Sequence, residues 1–294
     1  MKFRAFMTDY SAMKDFMNTI TTFSRLSKEC IIRILPDKLY FIIPDEDGPR
    51  RPFIWCEMPI PYYFKEYNMT GVTDDSNEIY LSFSPSMFAN CLSSVRTCSR
   101  SLKMKLTNKK SPCLTLEIDV IVSDYVEHRQ IVHDIPVEII PRKHWNDYSE
   151  PKFLEFHVTL QMPPAKSIRN IVERMKQMTN LLIVSANKRG RATLKIETNL
   201  VTLSAHFPNL TVHSFAEGIP SNDDSQITYI DADNKKLQVV SACIDIRKFF
   251  AFLTAMHVTN SKMLCSIVHG RMVKFVLETP GVMVLQCFLT EVSQ

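Results

Sequence analysis

The order of short apolar segments along this chain occurs twice. Residues 2 to 6 (KFRAF) read as a strand, and residues 11 to 27 then place Met13, Phe16, Met17, Ile20, Phe23 and Leu26 on one helical face. CIIRIL (30 to 35) and KLYFII (38 to 43), split by Pro36-Asp37, read as a hairpin, with further strands at 52 to 58, 64 to 69 and 77 to 83. Ser84-Pro85 opens a second helix, since serine caps and proline suits the first helical position, with Met87, Phe88, Cys91, Leu92 and Val95 as its apolar stripe. LKMKLT (102 to 107), CLTLEIDVIV (113 to 122) and IVHDIPVEII (131 to 140) close the first half as three strands.

The second half follows the same order. FHVTLQM (156 to 162) is a strand, and residues 165 to 178 put Ile168, Ile171, Val172, Met175 and Met178 on one helical face. LLIVSAN (181 to 187), a turn at Gly190 and ATLKIET (192 to 198) form the matching hairpin, followed by LVTLSAHF (200 to 207). A polar stretch from Glu217 to Lys236 reads as a loop. LQVVSACI (237 to 244) then leads into a helix with Ile246, Phe249, Phe250, Leu253 and Met256 inward, and three strands end the half. Element order therefore predicts an α+β chain of two similar domains, 1–141 and 153–294, joined by a connector at 142–152. A length of 294 residues suits two cores.

Such a chain has little room for nucleotide or hydrolase chemistry. The six glycines stand at 48, 71, 190, 218, 270 and 281, never closer than eleven residues. Dinucleotide fingerprints, P-loops and nucleophile elbows all need closer pairs. No two histidines fall four apart, and the eight cysteines are never closer than seven, which removes helical zinc pairs and C-x-x-C motifs. No metal or cofactor is expected. His133 and Asp134 are adjacent in a strand, so their side chains point to opposite faces and form no acid-base dyad. The start Met1-Lys2-Phe3-Arg4 is amphipathic and no apolar run approaches 20 residues, so neither a leader nor a membrane is expected and the cysteines read as reduced packing residues.

Charge is unevenly spread. Helical geometry places Lys14, Asp15, Asn18, Thr22 and Arg25 opposite the first apolar stripe, and Ser93, Arg96 and Arg100 opposite the second. The third helix carries Lys166, Arg169, Asn170, Glu173 and Gln177 there, and the fourth Arg247, Lys248, Ala251 and Ala255. These faces hold eight cations and two acids while the whole chain is only +4, leaving the remainder at about −2. Surfaces of this kind suit duplex phosphates irrespective of sequence, and no aromatics interleave to make a single-strand platform.

Several segments carry a resemblance to a known family. MKFRA at the start, SPCLTLEI (111 to 118), IVHDIPVEIIPRKHW (131 to 145), IRNIVERM (168 to 175), LKIET (194 to 198), IDIRKFFAFL (244 to 253) and LCSIV (264 to 268) closely resemble the Hus subunit of the nine-one-one checkpoint sliding clamp. The resemblance spans both halves. It implies the duplicated DNA-clamp fold of the proliferating-cell clamp, with channel-lining helices and outer antiparallel sheets, and no catalysis. It implies a nuclear heterotrimer with two paralogous subunits, of the Rad-nine and Rad-one types, set on double-stranded DNA by an ATP-dependent clamp loader. Repair enzymes and checkpoint kinase activators are the implied clients. A homotrimeric replicative clamp of the same fold is the alternative.

By position, the resemblance assigns Lys14, Arg25, Arg96, Arg100, Lys166, Arg169, Arg247 and Lys248 to DNA. It assigns subunit contacts to the strand carrying Ile131, His133, Ile135, Val137 and Ile139, and to the one carrying Leu200, Thr202, Ser204 and His206. Pro136 suits an edge strand, where a missing N–H breaks no ladder. Trp145, in the connector, is the implied client contact.

Overall fold

The computed structural model describes residues 1–45, 52–71, 73, 77–95, 99–121, 128–151, 155–216, 229–230, 236–237, 239–255 and 262–292. It divides into two compact units, Met1–Pro151 with Pro280–Leu285, and Lys152–Thr279 with Gln286–Gln294.

In the first unit, β1 (Lys2–Met7) alternates, burying Phe3, Ala5 and Met7. Asp9 then caps α1 (Tyr10–Leu26), its carboxylate accepting from the Ala12 N–H at 2.8 Å. The helix buries Ala12, Met13, Phe16, Thr19, Ile20 and Phe23, a three-to-four-residue spacing that forms one stripe. There follow β2 (Cys30–Ile34), β3 (Lys38–Pro44), β4 (Pro52–Pro59), a single-turn α2 (Ile60–Tyr63), β5 (Glu66–Thr70) and β6 (Ile79–Phe83). Ser84 and Pro85 start α3 (Pro85–Leu92), as the sequence indicates. β7 (Ser99–Asn108), β8 (Pro112–Ile121) and β9 (His128–Ile139) complete the unit, and Arg142–Tyr148 forms a 3-10 turn after it.

The second unit runs β10 (Val158–Met162), α4 (Ala165–Met175), β11 (Leu181–Asn187), β12 (Ala192–Glu197), β13 (Thr202–Phe207), β14 (Val212–Phe215), the two-residue β15 (Tyr229–Ile230) and β16 (Lys236–Leu237), β17 (Val239–Asp245), α5 (Ile246–Ala255), β18 (Lys262–Val268) and β19 (Met272–Thr279), and β20 (Met283–Thr290) is divided, Met283–Leu285 grouping with the first unit and the rest with the second.

Strand pairing makes the repeat explicit. The first unit orders its strands β5-β1-β7-β8 and β4-β3-β2-β6, and the second orders them β14-β10-β18-β19 and β13-β12-β11-β17. These are the same two arrangements, element for element, and the described neighbouring strand pairs are antiparallel. In each unit two helices pack side by side. Phe16 of α1 meets Phe88 of α3 edge-on at 5.9 Å, and the same ring touches Phe41 and Tyr63 at 5.9 and 6.1 Å. In the second unit Phe249 of α5 stacks on Phe275 of β19 at 4.3 Å. Gly190 shows why the turn after β11 needs glycine. Its φ is +76°, and a Cβ there would meet the Leu210 carbonyl oxygen at 2.1 Å.

Several sequence expectations are corrected. Met87 and Met178 are exposed rather than buried. The buried stripe of α3 is only Pro85, Phe88 and Leu92, one residue's rotation from Met87, and Met178 lies beyond the end of α4. Thr22, assigned to the polar face of α1, is buried. The second helix stops at Leu92, where Ser93 and Ser94 turn the chain through N–H bonds to Ala89 and Cys91 carbonyls. Arg100 therefore sits on β7, exposed, and not on a helix. α2 and β14 are additions to the expected elements, as are the two-residue β15 and β16, which pair with each other inside and at the end of the stretch read as a loop. Most of 217–236, together with Arg96 and Met256, lies outside the described residues.

The described cysteines are unbridged, and all but Cys91 are buried. No helix among the described residues is long and apolar enough to cross a membrane.

Two histidines tie strands of the second unit together. His157 Nδ1 accepts from the His269 N–H at 3.0 Å, and His269 Nδ1 accepts from the Ser241 N–H at 3.1 Å. Each bond needs an unprotonated Nδ1. Burial, then the neighbouring His269 and Arg271, lower the His157 pKa, against a smaller opposing pull from Glu155. A lowered folded pKa means that this contribution is full above the unfolded value of about 6.5 and is lost as pH falls through the folded one. Thermal melts between pH 7.5 and 5.5 should show that loss. His157→Asn keeps an acceptor oxygen without titrating and should flatten the dependence; equal pH slopes for both proteins would contradict it.

Candidate subunit edges and basic helix faces

β9 changes neighbours along its length. His128 to Pro136 pair with β8, and Val137, Glu138 and Ile139 pair with β6. The Ile140 N–H donates to the Tyr80 carbonyl at 3.0 Å, which puts the main-chain groups of Ile140 on the β6 side. Alternation along an antiparallel strand then directs Glu138, Pro136, Asp134 and Val132 to that same side, and Ile135, His133 and Ile131 toward β8. Before Val137, that side has no strand partner among the described residues. β9 is thus an edge from Val132 to Pro136, and Pro136 lacks its N–H on the open side. Val137 and Ile139, expected on the edge, are in the stretch closed by β6. Ile131, His133 and Ile135 direct their main chain to β8 and contribute to the edge only through position.

The side chains beside this edge are fixed. Thr115 and Lys109 donate to the Asp134 carboxylate at 2.6 and 2.5 Å, and the Lys109 and Thr115 bonds hold its carboxyl below the usual range. On the inner face His133 Nε2 lies 3.2 Å from Ser94 Oγ, and Ile135 is buried.

β13 is the outermost strand of its sheet, paired only with β12 among the described residues. The Thr198 N–H donates to the Val201 carbonyl at 3.0 Å. The same alternation directs Leu203 and Ala205 toward β12 and the main chains of Thr202, Ser204 and His206 outward. The His206 ring is held by Thr193, Nδ1 to Oγ1 at 3.0 Å. Leu200, expected within the strand, lies in the turn before it.

The helix faces carry the cations largely as anticipated. Lys14, Arg25, Lys166 and Arg247 are exposed, and Arg169 and Lys248 are half-buried. Asp15, one of two acids on these faces, is taken up by the Tyr62 hydroxyl at 2.6 Å; burial, then that bond, push the phenol up to about 12. Arg174, exposed in the last turn of α4, adds a cation that the stripe geometry did not include.

Trp145 is engaged within the chain. Its indole N–H donates to the Ile140 carbonyl at 3.0 Å, and its ring stacks on Tyr80 at 4.7 Å. Arg33 lies against Tyr80 and Tyr40 at 5.4 and 5.5 Å and bonds Glu78 at 2.9 Å. The residue fastens the 3-10 turn to the sheet.

The same architecture is found in known proteins. The chain is 11% identical to PCNA from Thermococcus kodakaraensis, with a TM-score of 0.65 over 98% of this chain and 99% of that one, so the fold is the duplicated clamp fold. It is 37% identical over 293 residues to the human "Checkpoint protein HUS1", covering 100% of both chains. It is 27% identical to the Drosophila melanogaster "Checkpoint protein Hus1-like" over 91% of this chain and 90% of that protein. A relative from Schizosaccharomyces pombe, "Checkpoint protein hus1", is 24% identical over 76% and 73%. The family model described as "Hus1-like protein" matches residues 1–293. With the fold and the sequence in agreement across both units, the chain belongs to the Hus1-like protein family.

Proposed function

We propose that this chain is one subunit of a heterotrimeric checkpoint clamp that encircles duplex DNA and serves as a scaffold. Membership of the Hus1-like family and the clamp fold make it a checkpoint clamp subunit, acting with other clamp subunits on DNA, and do not favour the replicative homotrimer. The observation that carries the finer reading is that the two strands the resemblance assigns to subunit contacts are open among the described residues, β9 before Val137 and β13, one in each unit, although β5, β14 and β17 also end sheets. A strand left open invites uncontrolled pairing, and closure by a neighbouring subunit removes that hazard. The domains are 1–141 and 153–294, with 142–152 as connector. The two neighbours are paralogues of the Rad-nine and Rad-one types, one at each edge.

Lys14, Arg25, Arg96, Arg100, Lys166, Arg169, Arg247 and Lys248 supply sequence-independent attraction to phosphate. An ATP-dependent loader sets the ring on damaged or stalled DNA in the nucleus, and repair enzymes and checkpoint kinase activators dock on it. The chain contributes no catalysis. Mixing it with the two paralogues and weighing the product by native mass measurement should give a 1:1:1 assembly. A closed ring formed by the chain alone, or a monomer indifferent to both paralogues, would overturn the reading.

A further inference from the structure

The tip joining β12 to β13 departs from a solvated hairpin at one residue, Leu200. Thr198 closes it three times. Its N–H donates to the Val201 carbonyl at 3.0 Å, its hydroxyl donates to that carbonyl at 2.9 Å, and its Oγ1 accepts from the Val201 N–H at 2.9 Å. This rigid tip presents Leu200 at 94% exposure, followed by Val201 at 46% and Leu203 at 38%. Hairpin tips facing only water favour Gly, Asn and Asp; Asn199 fits that preference, and Leu200 beside it does not. Leu200 is the most exposed large apolar residue described. A contiguous apolar group of this kind marks a contact surface.

We propose that Leu200 is a specificity anchor for the subunit that pairs with β13, set against an exposed aliphatic side chain at the C-terminal end of that subunit's edge strand. The inference rests on the edge-pairing reading above and deepens it. The direction follows from antiparallel pairing. β13 runs away from the tip, so a strand laid against Thr202 and Ser204 ends beside Leu200. A paralogue built on the same plan offers there the equivalent of the end of β9. In this chain that end offers Ile139, 40% exposed, while Ile135 and Val137 before it are buried within their own unit. Its main chain is closed by β6 from Val137 onward, so the ladder stops and only side chains remain for contact. Leu200 lies two residues before β13 begins and reaches beyond the ladder to such a place.

The test measures the affinity of the full chain for each paralogous subunit separately, using wild type, Leu200→Ser, Leu200→Met and Ser204→Pro. Leu200→Ser should weaken binding to one paralogue by about 10-fold or more and leave the other within about 2-fold, while Leu200→Met restores it. Unchanged binding of Leu200→Ser to both, with Ser204→Pro still losing one, overturns the anchor and leaves the edge reading standing. Failure of the wild-type chain to bind either paralogue overturns both. Equal weakening toward both partners also overturns the anchor, because the tip lies at one edge only.

Discussion

Ser204→Pro should leave the second unit folded and remove one of the chain's two proposed partners. Leu203 and Ala205 direct their main chain to β12, so a proline at 204 takes no donor from the existing ladder. The substitution removes an outward N–H, orphans the partner carbonyl that would have accepted it, and puts a ring in the path of the incoming strand. One missing main-chain bond and one buried unsatisfied carbonyl together cost about 2 to 4 kcal/mol. That corresponds to about 30- to 1,000-fold in affinity. Val132→Pro should do the same at the other edge, because Val132 also directs its main chain away from β8. Thermal melting checks the fold, and pairwise binding to each paralogue checks the edge. If both variants retain both partners, main-chain pairing is not how the subunits join.

Replacing Lys14, Lys166, Arg169 and Arg247 together by glutamine should lower the salt dependence with which the assembled ring holds duplex DNA. Each phosphate that is no longer neutralised reduces the slope of log affinity against log salt by about 0.9, so removing four cations reduces it by about 3 to 4. Single substitutions should do little, since a sliding ring holds phosphate through many weak and exchangeable charges. All four residues are solvent-accessible on α4, α5 and α1, away from the buried stripes, so folding should be unaffected. An unchanged slope means that these faces do not meet phosphate.

The duplication was legible because strand and helix periods differ, and Phe16 or Ile168 recur at spacings that only a helix satisfies. Helix ends were less so. Val95 falls three residues after Leu92 and is buried, which mimics a helical stripe, yet it follows a Ser-Ser turn that ends α3. That one misplaced boundary moved Arg100 from a helix to a strand. Edge strands were partly legible, since Pro136 fits only where a donor is dispensable. Which residues face the open side was not, because main-chain direction depends on the neighbouring strand, and it takes the Ile140–Tyr80 bond at β9 and the Thr198–Val201 bond at β13 to fix it. Trp145 read from sequence as either a client contact or a packing residue, and its ring packs on Tyr80 across a separation of sixty-five positions in the chain.

The most direct measurement of DNA encirclement is retention on a nicked circular duplex. The trimer, loaded by the proposed ATP-dependent loader and washed in high salt, should stay on the circle and be released when the circle is cut open. Release at the same rate from circular and linear DNA would contradict a ring around the duplex.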